Sequence, residues 1–309
     1  MVPEDCLMKK VIVLTGPTAV GKTAFSLMIA QDLKTEIINC DASQFRKGLN
    51  IGTAKINLEE IDITHHLIDF LDTEAEFSIK DFQEIARKKI SNLHKRRLIP
   101  LLVGGSGLYI NAVLGDYNLS IPERNPKLEK RYEDLQNIEL HQKLVAIDPD
   151  TALKIHPNNR RRVLRAIEAA VSGKRISENK SGNNLLYDAL IICLTTDREL
   201  LYQRINERVS IMIKEGWLDE VRTLMESGID FRKVKDIGYL ELANFLKTGG
   251  PMDEVLDDIR RQTRNYAKRQ LTWFKNKMEC NFVTVDYQNP QKTKKQITTI
   301  IDSFLGKFH

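Results

Sequence analysis

Residues 11–23 read VIVLTGPTAVGKT, and this stretch decides the fold. Val11 to Thr15 is a short β-branched apolar run, which predicts a strand buried on both faces in a parallel sheet. Gly16-Pro17-Thr18-Ala19-Val20-Gly21-Lys22-Thr23 then fits G-x-x-x-x-G-K-[ST], and it stands where that motif needs to stand, after a strand and before a helix. The glycines let successive N–H groups curl inward toward phosphate oxygens. The following helix adds partial positive charge at its N-terminus. Lys22 is expected to neutralise a terminal phosphate and Thr23 to hold a magnesium ion, Mg2+. Residues 16–23 are therefore the candidate diphosphate or nucleotide site. The motif specifies a diphosphate or triphosphate and does not say which.

Working outward, Lys22 to Leu33 has helical spacing with Phe25, Met28, Ile29 and Leu33 on one face. Glu36 to Cys40 reads as a second strand and Ile99 to Val103 as a third. Between them lies a charged amphipathic helix, Ser78 to Lys95, which Ser78 is placed to cap. Alternation of this kind predicts a parallel α/β sheet with right-handed crossovers. The pattern changes from about Ser120 to Asn184, where the text is helical and polar and prolines 122, 126, 149 and 157 mark turns. Strand character returns at Ala189 to Leu194. Arg198 to Glu226 and Met252 to Lys277 are expected as long helices, and a last amphipathic helix is expected from Lys294. The predicted fold class is α/β, a P-loop NTPase-like parallel sheet core flanked by helices and interrupted by a helical insertion domain. The first part of the core is expected over 1–118, the insertion over 119–185, and the second part of the core with C-terminal helices over 186–309.

The chain has 309 residues, 42% of them hydrophobic, enough for a packed core. No apolar run approaches the roughly 20 residues of a membrane helix, and Glu4 and Asp5 in the first ten residues argue against a secretory signal. Cys6, Cys40, Cys193 and Cys280 are scattered, which predicts neither a disulfide framework nor a zinc site and makes a cytoplasmic protein the default. The formal net charge is +5, unevenly spread. Arg260, Arg261, Arg264, Lys268, Arg269, Lys275 and Lys277 follow one another with no intervening acid, and Arg160, Arg161, Arg162 and Arg165 form a second cluster. Such clusters meet phosphate backbones or are plain solvated helix faces, and composition does not separate the two.

The second strand delivers Asp41 beside the phosphate loop, where open α/β sheets place their ligands. A carboxylate there serves as magnesium ligand, general base, or simple turn cap. The third strand ends in Gly104-Gly105-Ser106-Gly107 rather than in an acid. These glycines are expected either to let something bulky approach the backbone, with Ser106 as a hydrogen-bond donor, or to cap a helix.

Taken in order, GPTAVGKT (16–23), DASQ (41–44), GLNIGTAK (48–55), LVGGSGLYINAVL (102–114), HPNNRRRVLRAIE (156–168), SGKRIS (172–177), RINERV (204–209), EGWLDEV (215–221), DIGYLEL (236–242) and TRNYAKRQLTWFK (263–275) resemble the tRNA dimethylallyltransferase family, also called tRNA isopentenyltransferases. The resemblance implies transfer of a dimethylallyl group from dimethylallyl diphosphate to the N6 amine of the adenosine just 3′ of the anticodon. Residues 16–23 would hold the donor's diphosphate, and no ATP would be hydrolysed. Lys22, the loop amides and magnesium on Thr23 would stabilise charge on the leaving group, and Asp41 would accept the amine proton. The same resemblance places tRNA contacts on Asp41, Ala42, Ser43 and Gln44, on Ser106, on Arg161, Arg162, Val163, Leu164 and Arg165, and on Lys268, Arg269 and the segment to Lys275. The insertion would grip the anticodon stem-loop, with the target base drawn from its stack. Arg161 and Arg165, like Arg264 and Lys268, are four apart and share a helix face, whereas Ala267, Leu271 and Phe274 form a buried stripe. Trp273 and Tyr266 read as core.

This chain departs from the family pattern at several points. The serine of the Asp41–Gln44 motif stands one position late, at Ser43, which puts its hydrogen bond in question. Val20 replaces a common serine, Ser106 a common threonine, and Leu128 stands near a family arginine, with Lys127 as a substitute. The scattered cysteines predict no zinc-finger extension of the kind that some eukaryotic members carry. The competing readings are a small-molecule or nucleotide kinase with a lid built on Arg198, Arg204 and Arg208, a prenyltransferase of free adenine nucleotides, and a regulatory RNA-binding P-loop protein without chemistry. A monomer is the default expectation.

Overall fold

The computed structural model describes residues 8–117, 119, 125–177 and 184–307. Glu4, Asp5, Cys6 and Pro122 lie outside the described residues. The chain divides into two compact units, one of Met1–Leu114 with Leu186–His309 and one of Gly115–Leu185.

The first unit runs β1 (Lys10–Thr15), α1 (Lys22–Leu33), β2 (Ile37–Asn39), β3 (His65–His66), α2 (Ile79–Lys95), β4 (Leu101–Val103) and α3 (Gly107–Leu114). The second unit holds α4 (Pro126–Arg131), α5 (Asn137–Ile147), α6 (Pro149–Ala152) and α7 (Arg160–Val171). The chain returns to the first unit with β5 (Asp188–Thr195), α8 (Arg198–Lys214), α9 (Trp217–Glu226), α10 (Tyr239–Thr248), α11 (Met252–Lys277), β6 (Asn281–Thr284) and α12 (Pro290–Leu305).

The six strands form one parallel sheet in the order β3-β2-β4-β1-β5-β6. The period of two in β1 sends Ile12 and Leu14 into one face core and Val11 and Val13 into the other. The first core is closed by side chains of α1, α8 and α12, the second by Phe82, Ile90, Ile110 and Phe274. All four apolar residues of β1 are fully buried, as expected for a central strand covered by helices on both faces. The α/β fold class thus holds.

Several elements depart from expectation. The stretch Arg198 to Glu226 is two helices, because Gly216 adopts φ 98° and ends the first at Lys214. α10 was not foreseen, and neither were the edge strands β3 and β6. Ser78 caps α2 as expected, in a reciprocal box with Asp81. Cys40, Cys193 and Cys280 are free thiols, and the fold brings Cys193 and Cys280 into hydrogen-bonding contact despite their spacing.

The second unit packs Leu128, Leu140, Leu144, Val163, Ala166 and Ile167 into its own core. Its base is closed by an antiparallel bridge between Gly115 and Leu185 and by hydrogen bonds between Asp116 and Asn184, so it starts slightly before residue 119. Pro126 and Pro149 mark turns by opening helices, each after a capping Asn125 or Asp148 side chain.

Candidate functional site

At the C-terminal end of β1 the chain curls through residues 16–21 before α1 begins at Lys22. Gly16 has φ 143°, and a Cβ there would fall 2.5 Å from the Leu194 carbonyl oxygen, so no other residue fits without moving β5. Lys22 Nζ donates to the carbonyls of Gly16 (3.0 Å) and Pro17 (2.8 Å), tucking the ammonium against its own loop. Val20 is fully buried in the sheet core. The expected phosphate contact at this position is thereby limited to its backbone.

The loop forms one wall of a cleft of about 320 Å³ that also takes in Thr23, Asp41, Gln44, Arg204 and Arg208. Burial pulls the Lys22 pKa down to about 8, partly offset by the charge of Asp41 and reinforced by that of Arg208. Burial also lowers the pKa of Arg208, whose Nη1 reaches the Thr18 hydroxyl at 3.5 Å. Arg204 donates to the Ala19 carbonyl at 3.0 Å and lies over the Tyr287 ring at 3.9 Å. Two cations whose charged forms are disfavoured by burial, at the N-terminal end of α1, make a site that gains free energy by taking up an anion.

Asp41 follows β2 and opens a single 3-10 turn over Ala42–Gln44. Its carboxylate accepts from the Ser43 N–H at 3.3 Å, and its own N–H donates to Asn39 Oδ1 at 3.0 Å. The cap role is therefore real, but it does not exhaust the carboxylate, which faces the cleft beside Lys22. Gln44 donates to the carbonyls of Thr53 (3.3 Å) and Ala54 (3.2 Å), tying the 48–55 loop to the same wall. Glu220 fixes the other side of that loop, accepting from the N–H groups of Asn50 (2.9 Å) and Ile51 (2.8 Å) and from the Tyr239 hydroxyl (2.7 Å).

The glycines after β4 do not leave room for a bulky ligand. A Cβ on Gly104 would meet the Cys40 backbone at 2.3 Å, one on Gly105 the Gln270 amide at 2.2 Å, and one on Gly107 the Trp273 ring at 2.2 Å. The close approach is to the protein itself. Ser106 Oγ accepts from the Ala42 N–H at 3.3 Å and shares a hydrogen bond with the Tyr266 hydroxyl. Tyr266, read as core from sequence, thus stands at the site, and burial pushes its phenol pKa up.

Gln270 is the residue that sequence reasoning missed most plainly. Its Oε1 accepts from the Thr18 N–H at 2.9 Å and its Nε2 donates to the Gly105 carbonyl at 3.0 Å. One buried amide therefore clips the phosphate loop to the loop after β4. The available signal was a polar side chain inside the apolar stripe of Ala267 and Phe274, on an otherwise basic helix. From the sequence Arg208 reads only as part of a competing lid, and Asp236, which accepts from the Ser43 hydroxyl, carries no signal of a role.

The residues expected to meet RNA separate by environment. Lys268 and Arg269 are exposed on α11, whereas Arg264 donates to Asn206 at 2.7 Å and lies over Tyr202, so it does not share an open face with Lys268. In α7, Arg161 and Arg162 are exposed. Val163 is fully buried and Leu164 packs against the same core, which removes both from any surface contact through their side chains. Arg165 pairs with the buried Glu168 at 2.6 Å, so the expected Arg161–Arg165 face is not a pair of open cations. Arg160 donates to the carbonyls of Leu135 (2.6 Å) and Glu133 (3.0 Å). Leu128 is a core residue, and Lys127 beside it is exposed.

The sequence pattern of the IPP transferase family matches residues 44–277. A tRNA dimethylallyltransferase of Bacillus velezensis is 44% identical over 306 residues, spanning 96% of this chain and 97% of its own. The crystal structure of a tRNA delta(2)-isopentenylpyrophosphate transferase from Staphylococcus epidermidis superposes with a TM-score of 0.72 at 39% identity, covering 96% of this chain and 99% of that one. A eukaryotic dimethylallyltransferase described as acting on tRNA superposes with a TM-score of 0.81 at 28% identity, covering 97% of this chain and 80% of that one.

Proposed function

Since the chain belongs to the IPP transferase family, we propose that it is a tRNA dimethylallyltransferase whose cleft binds dimethylallyl diphosphate and prenylates the N6 amine of the adenosine 3′ of the anticodon. The observation that carries this reading is the single cleft in which the phosphate loop, Lys22, Arg208 and Asp41 come together. In the reaction the bond from the allylic carbon to the diphosphate oxygen breaks, and the electron pair leaves with the diphosphate. A bond forms from N6 to that carbon, and an N6 proton moves to the Asp41 carboxylate.

Each residue has a share that follows from its position. The loop amides, Lys22 and Arg208 hold the diphosphate and stabilise the charge that grows on it as the carbon–oxygen bond lengthens. Asp41, held by Asn39 and Ser43, presents an acceptor for the amine proton. Gln270 fixes the loop against the Ser106 turn, so the two ends of the reaction stay in register. Magnesium fits this donor set. The exposed Thr23 side chain lines the cleft and would hold the ion there. When bound, it would supply further neutralisation of the leaving diphosphate.

Exposed Arg161, Arg162, Lys268 and Arg269 are suited to tRNA phosphates, with the unit of residues 115–185 as the holder of the anticodon stem-loop. A monomeric cytoplasmic enzyme is part of the proposal; among the described residues no helix is long and apolar enough to cross a membrane. The test is incubation of the purified protein and total tRNA with labelled dimethylallyl diphosphate or with labelled ATP. Label is expected in RNA from the prenyl donor alone. Phosphate transfer from ATP to a small molecule, with no prenylated RNA, would favour a kinase and end this reading.

A further inference from the structure

Ser43 stands one position later than the family's serine, and the structure gives its hydroxyl a partner within this chain. Ser43 donates to the carboxylate of Asp236, which lies on the segment leading into α10. That segment is pinned on both sides, by the buried Val234 before it and by fully buried Tyr239 after it, whose hydroxyl donates to Glu220 at 2.7 Å. Asp236 is thus delivered to the turn at Ala42–Gln44 by a rigid support rather than by a free loop. The backbone N–H of Ser43 is the donor that holds Asp41 Oδ1 at 3.3 Å. Side chain and backbone of one residue therefore link the two carboxylates.

The charges around Asp236 are accounted for. Asp41 faces it with like charge from the turn, and Arg46 faces it with opposite charge, although the Arg46 guanidinium is already engaged by the carbonyls of Asp72 (3.2 Å), Thr73 (2.6 Å) and Ala75 (3.0 Å). Tyr239 of α10 and Tyr266 of α11 are the titratable groups that feel its charge. Burial raises the Asp236 pKa, and the Ser43 hydrogen bond opposes that rise. A half-buried carboxylate whose facing cation is engaged elsewhere is costly to keep in a fold, and what it does here is grip one hydroxyl.

We propose that Asp236 is a positioning residue for the prenyl transfer, holding the Asp41 carboxylate in its working orientation through Ser43. It touches neither donor nor acceptor. The inference rests on the assignment of Asp41 as the base. It explains how a turn with its serine displaced keeps a fixed carboxylate: Ser43, whose N–H holds the carboxylate, is itself anchored from outside the turn by Asp236.

A double-mutant cycle tests it with the full chain, labelled dimethylallyl diphosphate and tRNA, under single turnover. Ser43→Ala and Asp236→Ala are each expected to slow transfer about tenfold, through misplacement of the carboxylate. The double variant is expected to be no slower than either, and the donor KM to stay within about twofold, since the phosphate loop is untouched. Asp236→Asn keeps an acceptor for the Ser43 hydroxyl and is expected to retain activity within about threefold of the parent. Additive losses near a hundredfold in the double variant, or a loss confined to donor KM, would overturn the proposal. So would an Asp236→Asn enzyme as slow as Asp236→Ala. Ser43→Ala and Asp236→Asn, both mild changes, carry the test if Asp236→Ala folds poorly. No transfer by the unaltered enzyme would instead defeat the proposed function itself, so the two failures are distinct.

Discussion

The loop at Gly16–Thr23 and the helix α7 at Arg160–Val171, the proposed diphosphate and tRNA contacts, both carry cations, and the fold treats those cations in opposite ways. In the loop a single lysine is enclosed, hydrogen-bonded to two carbonyls and held beside Arg208, so that its pKa falls to about 8. In α7 the two cations with backbone or carboxylate partners, Arg160 and Arg165, brace their own unit, and Arg161 and Arg162 stand in solvent. An enclosed charge acts across a low effective dielectric, so it interacts strongly and resists salt. An exposed one is screened over a Debye length of about 10 Å at 0.1 M salt. The first arrangement suits the proposed chemistry, and the second the proposed reversible grip on a long polyanion.

The largest effect should follow from Lys22→Met. We expect transfer to fall by about a thousandfold or more, because the enclosed charge opposite the leaving diphosphate is lost; steady-state assays at saturating tRNA measure it. Asp41→Ala comes next, with a loss of about a hundredfold to ten-thousandfold in the single-turnover rate and tRNA affinity unchanged by filter binding. An Asp41→Ala enzyme of normal rate would remove the base from the scheme.

Gln270→Leu is expected to weaken the loop's hold at both ends. The Thr18 N–H and Gly105 carbonyl lose their shared partner, which costs about 1–3 kcal/mol for each group left buried and unpaired. Denaturant unfolding should show the loss of stability, together with a rise in donor KM.

The pH dependence is smaller and has a definite sign. On the proposed reading donor binding draws on the charged form of Lys22, which burial leaves predominant only below about pH 8. Affinity for a donor analogue should therefore fall about tenfold between pH 7 and pH 9, as calorimetry can show. Stability moves the other way. The unfolded chain keeps the lysine proton up to its ordinary 10.5, so this group alone makes the ligand-free protein more stable as pH rises from about 8 toward 10.5.

The smallest effect belongs to α7. Arg161→Ala with Arg162→Ala should weaken tRNA binding several-fold and flatten the plot of log affinity against log salt by roughly 1.5, the share of two phosphate contacts, with kcat unchanged. An unaltered salt slope would assign these arginines to solvent.

How much of this was legible in the sequence follows the range of each interaction. β1, α1, α2 and α11 were readable because apolar periodicity and caps are local, and Ser78 and Gly21 announce their helix starts. β3 and β6 were not, since His65–His66 is too short to show a period and Asn281–Thr284 buries only Val283 well. The break at Gly216 was visible as a residue but not as a geometry. In the site, Lys22, Thr23 and Asp41 carry their meaning in their immediate neighbours. Gln270 does not, because its partners lie 252 and 165 residues away along the chain. Asp236 is hidden for the same reason. Likewise, the four arginines of α7 look alike on paper, and only packing separates braces from open cations.

Binding measured separately for the two substrates puts the contrast between loop and helix to the hardest test. Titrate an unreactive analogue of dimethylallyl diphosphate, and in a second series tRNA, into the unaltered protein, Lys22→Met and Arg161→Ala/Arg162→Ala. Lys22→Met should lose about a hundredfold in analogue affinity while holding tRNA normally, and the arginine variant should do the reverse on a smaller scale. Normal analogue binding by Lys22→Met would contradict the assignment of the N-terminal loop as the diphosphate site.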